Sequence, residues 1–231
     1  QFSFETGHAL YQANLPADWR YQPVGEAIGM SSHESQSLFV EKQICKSKEF
    51  IEFLYPKLHQ YFSLDKKEWS KENLEKYLLH VQPSFIRVDA DEVTYPMHVI
   101  LRYKLEKGII EGDFKLEELP KIWNEHMQKY LGIVPDSDAN GCMQDIHWYS
   151  GAIGYFPTYT LGALTAAQLM SKVKKDIAST PDLIRKGDFA PIMEWLKVNI
   201  HNKGSLHLAD DLLKSATVEG LNPQYFIDHV I

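Results

Sequence analysis

The residues Phe4-Glu5-Thr6-Gly7-His8 set a carboxylate and an imidazole three positions apart. Phe4, His8 and Tyr11 fall at i, i+4 and i+7, the spacing of one helix face. A zinc-holding helix of the peptidase type presents two histidines at i and i+4 and a glutamate beside the first. That glutamate takes a proton from water and later delivers it to a leaving amine. Here Glu5 and the second histidine, His8, are in place, and Phe4 stands where the first histidine belongs. Taken alone, Glu-x-x-His is a weak signal, since a surface glutamate near an interior histidine gives the same string.

A second cluster, His33-Glu34-Ser35-Gln36-Ser37, begins the next long helix, with Glu34 26 positions after His8. Zinc sites of this class take their third ligand, a glutamate, from a following helix. A carboxylate in a first helical turn is also a favourable partner of the helix dipole, so Glu34 by itself has two readings.

Two further strings follow in order: Ile86-Arg87-Val88-Asp89-Ala90-Asp91, and Gly141-Cys142-Met143-Gln144-Asp145-Ile146-His147-Trp148. Together with Glu5-Thr6-Gly7-His8-Ala9-Leu10-Tyr11 and His33-Glu34-Ser35-Gln36-Ser37, this series resembles the carboxypeptidase Taq family of zinc metallocarboxypeptidases. Each block is modest, but four in the family's order, over the first two-thirds of the chain, are specific. The resemblance implies His8 and Glu34 as ligands of Zn2+ (or of Co2+ or Mn2+ in its place) and Glu5 as general base and acid. It makes Arg87 a candidate to grip a substrate's C-terminal carboxylate through two parallel hydrogen bonds. A structural salt bridge to Asp89 or Asp91 is the competing role for Arg87. Asp145 either orients His147 or accepts from a ligand histidine. His147 and one tyrosine, Tyr159 in preference to Tyr155, would donate to a tetrahedral oxyanion. Trp148 and Phe156 read as packing residues.

The elements that must position these groups are helical. The pattern predicts a helix from about Ser3 to Asn14, ending before Pro16, then a Pro- and Gly-rich loop over residues 17–29. Ser31 or Ser32 would cap a long helix running to Leu54, broken at Tyr55-Pro56. Ser70 opens another with Leu74, Tyr77, Leu78 and Val81 as its stripe, and residues 91–107 and 117–131 follow, the latter stopped by Gly132. Residues 133–154 lack any period, and a loop that long is usually functional. Pro157 starts a helix to Ile177, and three or four short helices complete the chain, with Gly187, Gly204 and Gly220 as stops. Phe85-Ile86-Arg87-Val88 is the best of few strand signals. The fold expected is all-α, with residues 1–231 a single catalytic-domain fragment, the C-terminal part of an elongated helical cleft enzyme. A helix pattern that begins at the first residues, with no Met, underlies the fragment reading.

Composition bounds the remaining possibilities. The content is 44% hydrophobic and 24% charged, ordinary for a globular chain, and the net charge of −7 with lysines scattered among glutamates argues against a nucleic-acid groove. No apolar run approaches the roughly 20 residues of a membrane span. Two cysteines, Cys45 and Cys142, read as reduced and buried, in a reducing compartment. The function expected is metal-dependent release of C-terminal residues from peptides, in a cytoplasmic homodimer, with activity of this chain weak or absent, impaired by truncation and by Phe4. The rival is a non-catalytic fragment that binds peptide tails or contributes an assembly surface.

Overall fold

The computed structural model describes residues 2–62 and 67–231, and among them every regular element is helical, with no strand. The chain divides into two compact units. One holds Gln1–Leu79 with Leu161–Ile231, and the other holds His80–Thr160.

The first unit opens with α1 (Phe2–Ala13) and α2 (Met30–Leu38). The expected serine cap of α2 is absent. Gly29, at φ 124°, stands at the N-cap, while the hydroxyls of Ser35 and Ser37 turn back onto the carbonyls of Ser32 and Glu34. The helix then widens into a π turn over Phe39–Ile44, where Cys45 N–H reaches Val40 O at 2.9 Å. The break predicted at Tyr55-Pro56 lies earlier, at residues 45–47. Ser47 Oγ accepts from Phe50 N there and opens α3 (Lys48–Phe62), which passes through Pro56. Proline removes one helical hydrogen bond, but Ile51 is fully buried and Phe50 and Phe53 pack on Phe189, so tertiary contacts hold the helix.

Ser70 caps α4 (Lys71–Leu78) as expected, accepting from Asn73 N. The rest of this unit comprises most of α7 (Pro157–Asp176), then α8 (Thr180–Lys186), α9 (Ala190–Asn199), α10 (Ala209–Thr217) and α11 (Gln224–Val230). Gly187 ends α8 at φ 72°, with the Phe53 ring where a Cβ would stand. The stop after α10 is Val218, at φ 80°, rather than Gly220. Buried Gln168 imposes that turn, because it donates to Thr217 Oγ1 and Gly220 O and accepts from Asn222 N. Leu38, Phe39, Leu169, Met170, Ile192 and Leu196 belong to the core, and Phe4 packs against it.

The second unit contains α5 (Tyr95–Glu111) and α6 (Leu119–Leu131), each with proline in its first turn and a left-handed glycine, Gly112 or Gly132, at its end. Leu101, Leu105, Trp123, Met127 and Leu131 fill its core. The strand predicted at 85–88 is instead a single 3₁₀ turn, Arg87–Asp89, because Arg87 N–H donates to the Gln144 side chain and not to a neighbouring strand. Residues 133–154 form no helix, yet both oxygens of buried Glu106 hold this stretch, accepting from Trp148 Nε1 and Gly154 N. Both cysteines are free and only partly buried; burial pushes the Cys45 thiol up to about 11. No helix of the described residues is long and apolar enough to cross a membrane.

Candidate metal and substrate residues

Two glycines decide how closely the helices around His8 approach. A Cβ on Gly7 would lie 2.3 Å from Gln36 O and 2.5 Å from Ser37 Cα, so the backbones of α1 and α2 touch. A Cβ on Gly162 of α7 would lie 2.8 Å from Glu34 Cβ. Glu34 is thereby held between two helices, nearly fully buried, with Ser37 Oγ 3.3 Å from its Oε2. Across α1, His8 Nε2 stands 3.5 Å from Glu34 Oε2, and His8 Nδ1 stands 2.5 Å from Nδ1 of His33. Burial and the neighbouring His8 push the His33 imidazole below the usual histidine range. Glu5 is exposed on the same helix as His8.

The donors match a divalent ion at two positions. Two atoms on a tetrahedral ion, each about 2 Å from it, lie roughly 3.3 Å apart, close to the His8–Glu34 separation. Nitrogen and carboxylate oxygen also suit such an ion. Phe4 supplies no third donor. Its ring meets His8 edge-on at 4.9 Å and packs on the unit's core. No group of three or more His, Cys, Asp or Glu side chains able to hold a metal occurs among the described residues.

Arg87 is occupied by Asp145, neither Asp89 nor Asp91. Its Nε and Nη2 both donate to Asp145 Oδ1, at 2.9 and 2.8 Å, and Nη1 donates to the Tyr95 hydroxyl. Asp91 is turned to the backbone of Gln82, Val93 and Thr94. Asp145 Oδ2 accepts from Arg102 Nε at 2.5 Å, and Arg102 is completely buried over the Trp123 ring. Gln144 Oε1 accepts from Arg102 Nη2 and from Arg87 N, while its amide nitrogen donates to Phe85 O, Asn140 O and Gly141 O. Burial raises the Asp145 carboxyl, but the guanidiniums of Arg102 and Arg87 outweigh it and hold the group below the usual range. Burial pushes Arg102 down to about 10, so both arginines stay charged near neutrality.

His147 Nε2 lies 3.0 Å from the Tyr159 hydroxyl, and the Tyr155 ring sits 5.5 Å from the His147 ring. His147 Nδ1 is buried without a hydrogen bond, 3.9 Å from Asp145 Oδ1, too far for Asp145 to orient it. Burial, with Arg87 adding to it, lowers His147 and keeps it neutral at pH 7. Trp148 and Phe156 pack, edge to face.

Several residues with a part in these sites carried no role in the sequence reading. Arg102 was hidden as one basic residue in the apolar run Val99-Ile100-Leu101, and His98 precedes it by one turn. His33 and Gln144 stood inside quoted motifs. Gly162 and His201 gave no signal; buried His201 hydrogen-bonds Gln36 Oε1 through Nε2 at 2.9 Å.

The family model described as "Carboxypeptidase Taq (M32) metallopeptidase" matches residues 1–231. The chain belongs to this carboxypeptidase Taq family. It is 41% identical over 226 residues to "Carboxypeptidase 1" of Bacillus subtilis, covering 98% of this chain and 45% of that protein. It is also 41% identical over 223 residues to "Thermostable carboxypeptidase 1" of Pyrococcus furiosus, covering 96% and 44%. The solved structure "Trypanosoma Cruzi Metallocarboxypeptidase 1" matches with a TM-score of 0.94 at 45% identity, over 98% of this chain and 47% of that one. The chain thus spans a little under half the length of the carboxypeptidase Taq relatives it matches. Its helical architecture is the one these family structures have, and membership in a metallopeptidase family implies a divalent metal.

Proposed function

We propose that this chain carries the metal seat and the carboxylate-recognising residues of a metallocarboxypeptidase that releases C-terminal amino acids from peptides. The approach of His8 Nε2 to Glu34 Oε2, at 3.5 Å, carries this reading. His8 and Glu34 would hold the ion, Zn2+ with Co2+ or Mn2+ as substitutes. When bound, that ion supplies Lewis-acid polarisation of the scissile carbonyl. Glu5, exposed and not a ligand, takes a proton from water and passes it to the leaving amine. His147 and Tyr159 share a hydrogen bond and are the donors to the oxyanion, with Tyr155 beside them on the substrate. Arg87 holds the substrate's C-terminal carboxylate. Asp145 and Tyr95 occupy three of its N–H groups, which leaves one hydrogen on each η nitrogen for that carboxylate. The setting proposed is cytoplasmic and the assembly a homodimer acting on peptides.

Phe4 sets the level of activity. With apparent zinc binding free energies of roughly 10–16 kcal/mol across four ligands, one ligand is worth about 3 kcal/mol, on the order of 100-fold in affinity. The chain therefore binds zinc weakly and turns over slowly. A calorimetric zinc titration tests this: Phe4→His gains about 100-fold, and Glu34→Ala in that background loses the gain. No gain, with α1 shown folded by circular dichroism, would overturn the metal seat. The second reading, a non-catalytic module that binds peptide tails or serves assembly, is favoured by the packing of Phe4 on the core. It predicts peptide binding that is insensitive to zinc in both forms.

A further inference from the structure

A histidine can present its Nε2 lone pair to a cation only if its proton sits on Nδ1. A group that accepts from Nδ1–H therefore decides whether the ring is a ligand. Ligand histidines commonly use a carboxylate or a backbone carbonyl for this. At His8 that place is taken by another imidazole. His8 Nδ1 faces His33 Nδ1 at 2.5 Å, whereas His8 Nε2 stands 3.5 Å from Glu34, beyond good hydrogen-bond range.

His33 is itself fixed in place. Its ring lies 4.7 Å from the His8 ring, tilted by 47°, and the fully buried ring of Tyr11 meets it edge-on at 5.1 Å. Its backbone N–H donates to Gly29 O at the start of α2, and contact of α1 with α2 at Gly7 sets the distance between the two imidazoles. Glu34 is the next residue of the same helix, so one turn of α2 delivers both a carboxylate and an acceptor to opposite sides of His8.

We propose that His33 is the positioning residue of His8: its Nδ1 accepts the His8 Nδ1–H and leaves the His8 Nε2 lone pair turned toward Glu34. This rests on the metal-seat reading for its purpose, but the tautomer is measurable without any metal. In the reverse arrangement, with His33 donating, the His8 proton would sit on Nε2 and block the seat.

The experiment is a long-range proton–nitrogen correlation spectrum of the metal-free, histidine-labelled full chain near pH 8, with His8 assigned through His8→Asn. The expected result is a protonated Nδ1 and a bare Nε2 on His8. His33→Asn, whose amide oxygen can accept, should keep that tautomer, and His33→Phe should lose it. In the Phe4→His background, His33→Phe should weaken zinc by 10- to 100-fold, as loss of such a second partner does, and His33→Asn should recover most of it. A protonated Nε2 on His8 in the unaltered chain would overturn the proposal, even if His33→Phe does not fold. So would a His8 tautomer unchanged by His33→Phe. If the tautomer is as expected but Phe4→His gains no zinc affinity, the metal seat falls and the positioning contact stands.

Discussion

Around Asp145, one carboxylate accepts from two buried guanidiniums, and Gln144 ties both arginines to the surrounding backbone. At α1 and α2, His8 Nε2 and Glu34 Oε2 face one another at 3.5 Å, with His33 beside His8 and Ser37 beside Glu34, and a phenyl ring fills the neighbouring position. Opposite charges hold the first cluster together. Backbone contact at Gly7 and Gly162 brings the second together. A cluster held by opposite charges resists change by electrostatics, and one brought together by touching backbones depends on helix spacing.

The largest effect should come from breaking the first cluster. Asp145→Asn leaves two buried guanidiniums without a counter-charge and should cost about 3–5 kcal/mol of stability. Urea unfolding of the full chain measures it, and a loss under 1 kcal/mol would mean the arginines are solvated. The next effect separates the two regions by pH. Burial pushes His98, beside Arg102, and His201, beside Gln36, down to about 4, so both are neutral in the fold and protonate near 6.5 when unfolded. The unfolded state therefore binds more protons between about pH 6.5 and 4, and stability falls as pH drops through that window, by on the order of 2–3 kcal/mol for each histidine. Unfolding at pH 7 and pH 5 should show the drop, and His98→Gln or His201→Gln should each flatten its own share.

Helix spacing is probed by Gly162→Ala, whose methyl meets Glu34 Cβ; overpacking there should cost about 1–3 kcal/mol. The distinguishing readout is zinc affinity in the Phe4→His background, which should drop for Gly162→Ala and hold for Asp145→Asn wherever that variant remains folded. The smallest effect belongs to Ser37→Ala, which removes one hydroxyl from Glu34 and should cost about 0.5–1.5 kcal/mol. Thermal unfolding resolves it.

Elements with local causes were legible in the sequence. The Ser70 cap, the Gly132 stop and the proline-led start of α7 each follow from one residue and its neighbours. Where a distant group decides, the local reading failed. Pro56 is carried inside α3 by packing on Phe189, Val218 is forced left-handed by Gln168, and the 85–88 segment surrenders its backbone N–H to Gln144. The same holds for the sites. That His8 lies near Glu34, and His147 near Tyr159, was readable only through the family resemblance, since each string alone is weak. Arg102 and Gly162 were not, because a single arginine in an apolar run and a single glycine in a helix say nothing of what lies across from them.

The π turn at Phe39–Ile44 bears on how this chain tolerates changes of length. Adding or removing one residue in a packed α-helix rotates everything beyond it by about 100° and turns its buried face outward. Here a surplus residue is already stored in a wider loop of backbone, closed by the Cys45–Val40 hydrogen bond. Loss of one residue from this stretch would draw it back to ordinary α-helix and leave Glu34 before it and Ile51 after it facing as they do now.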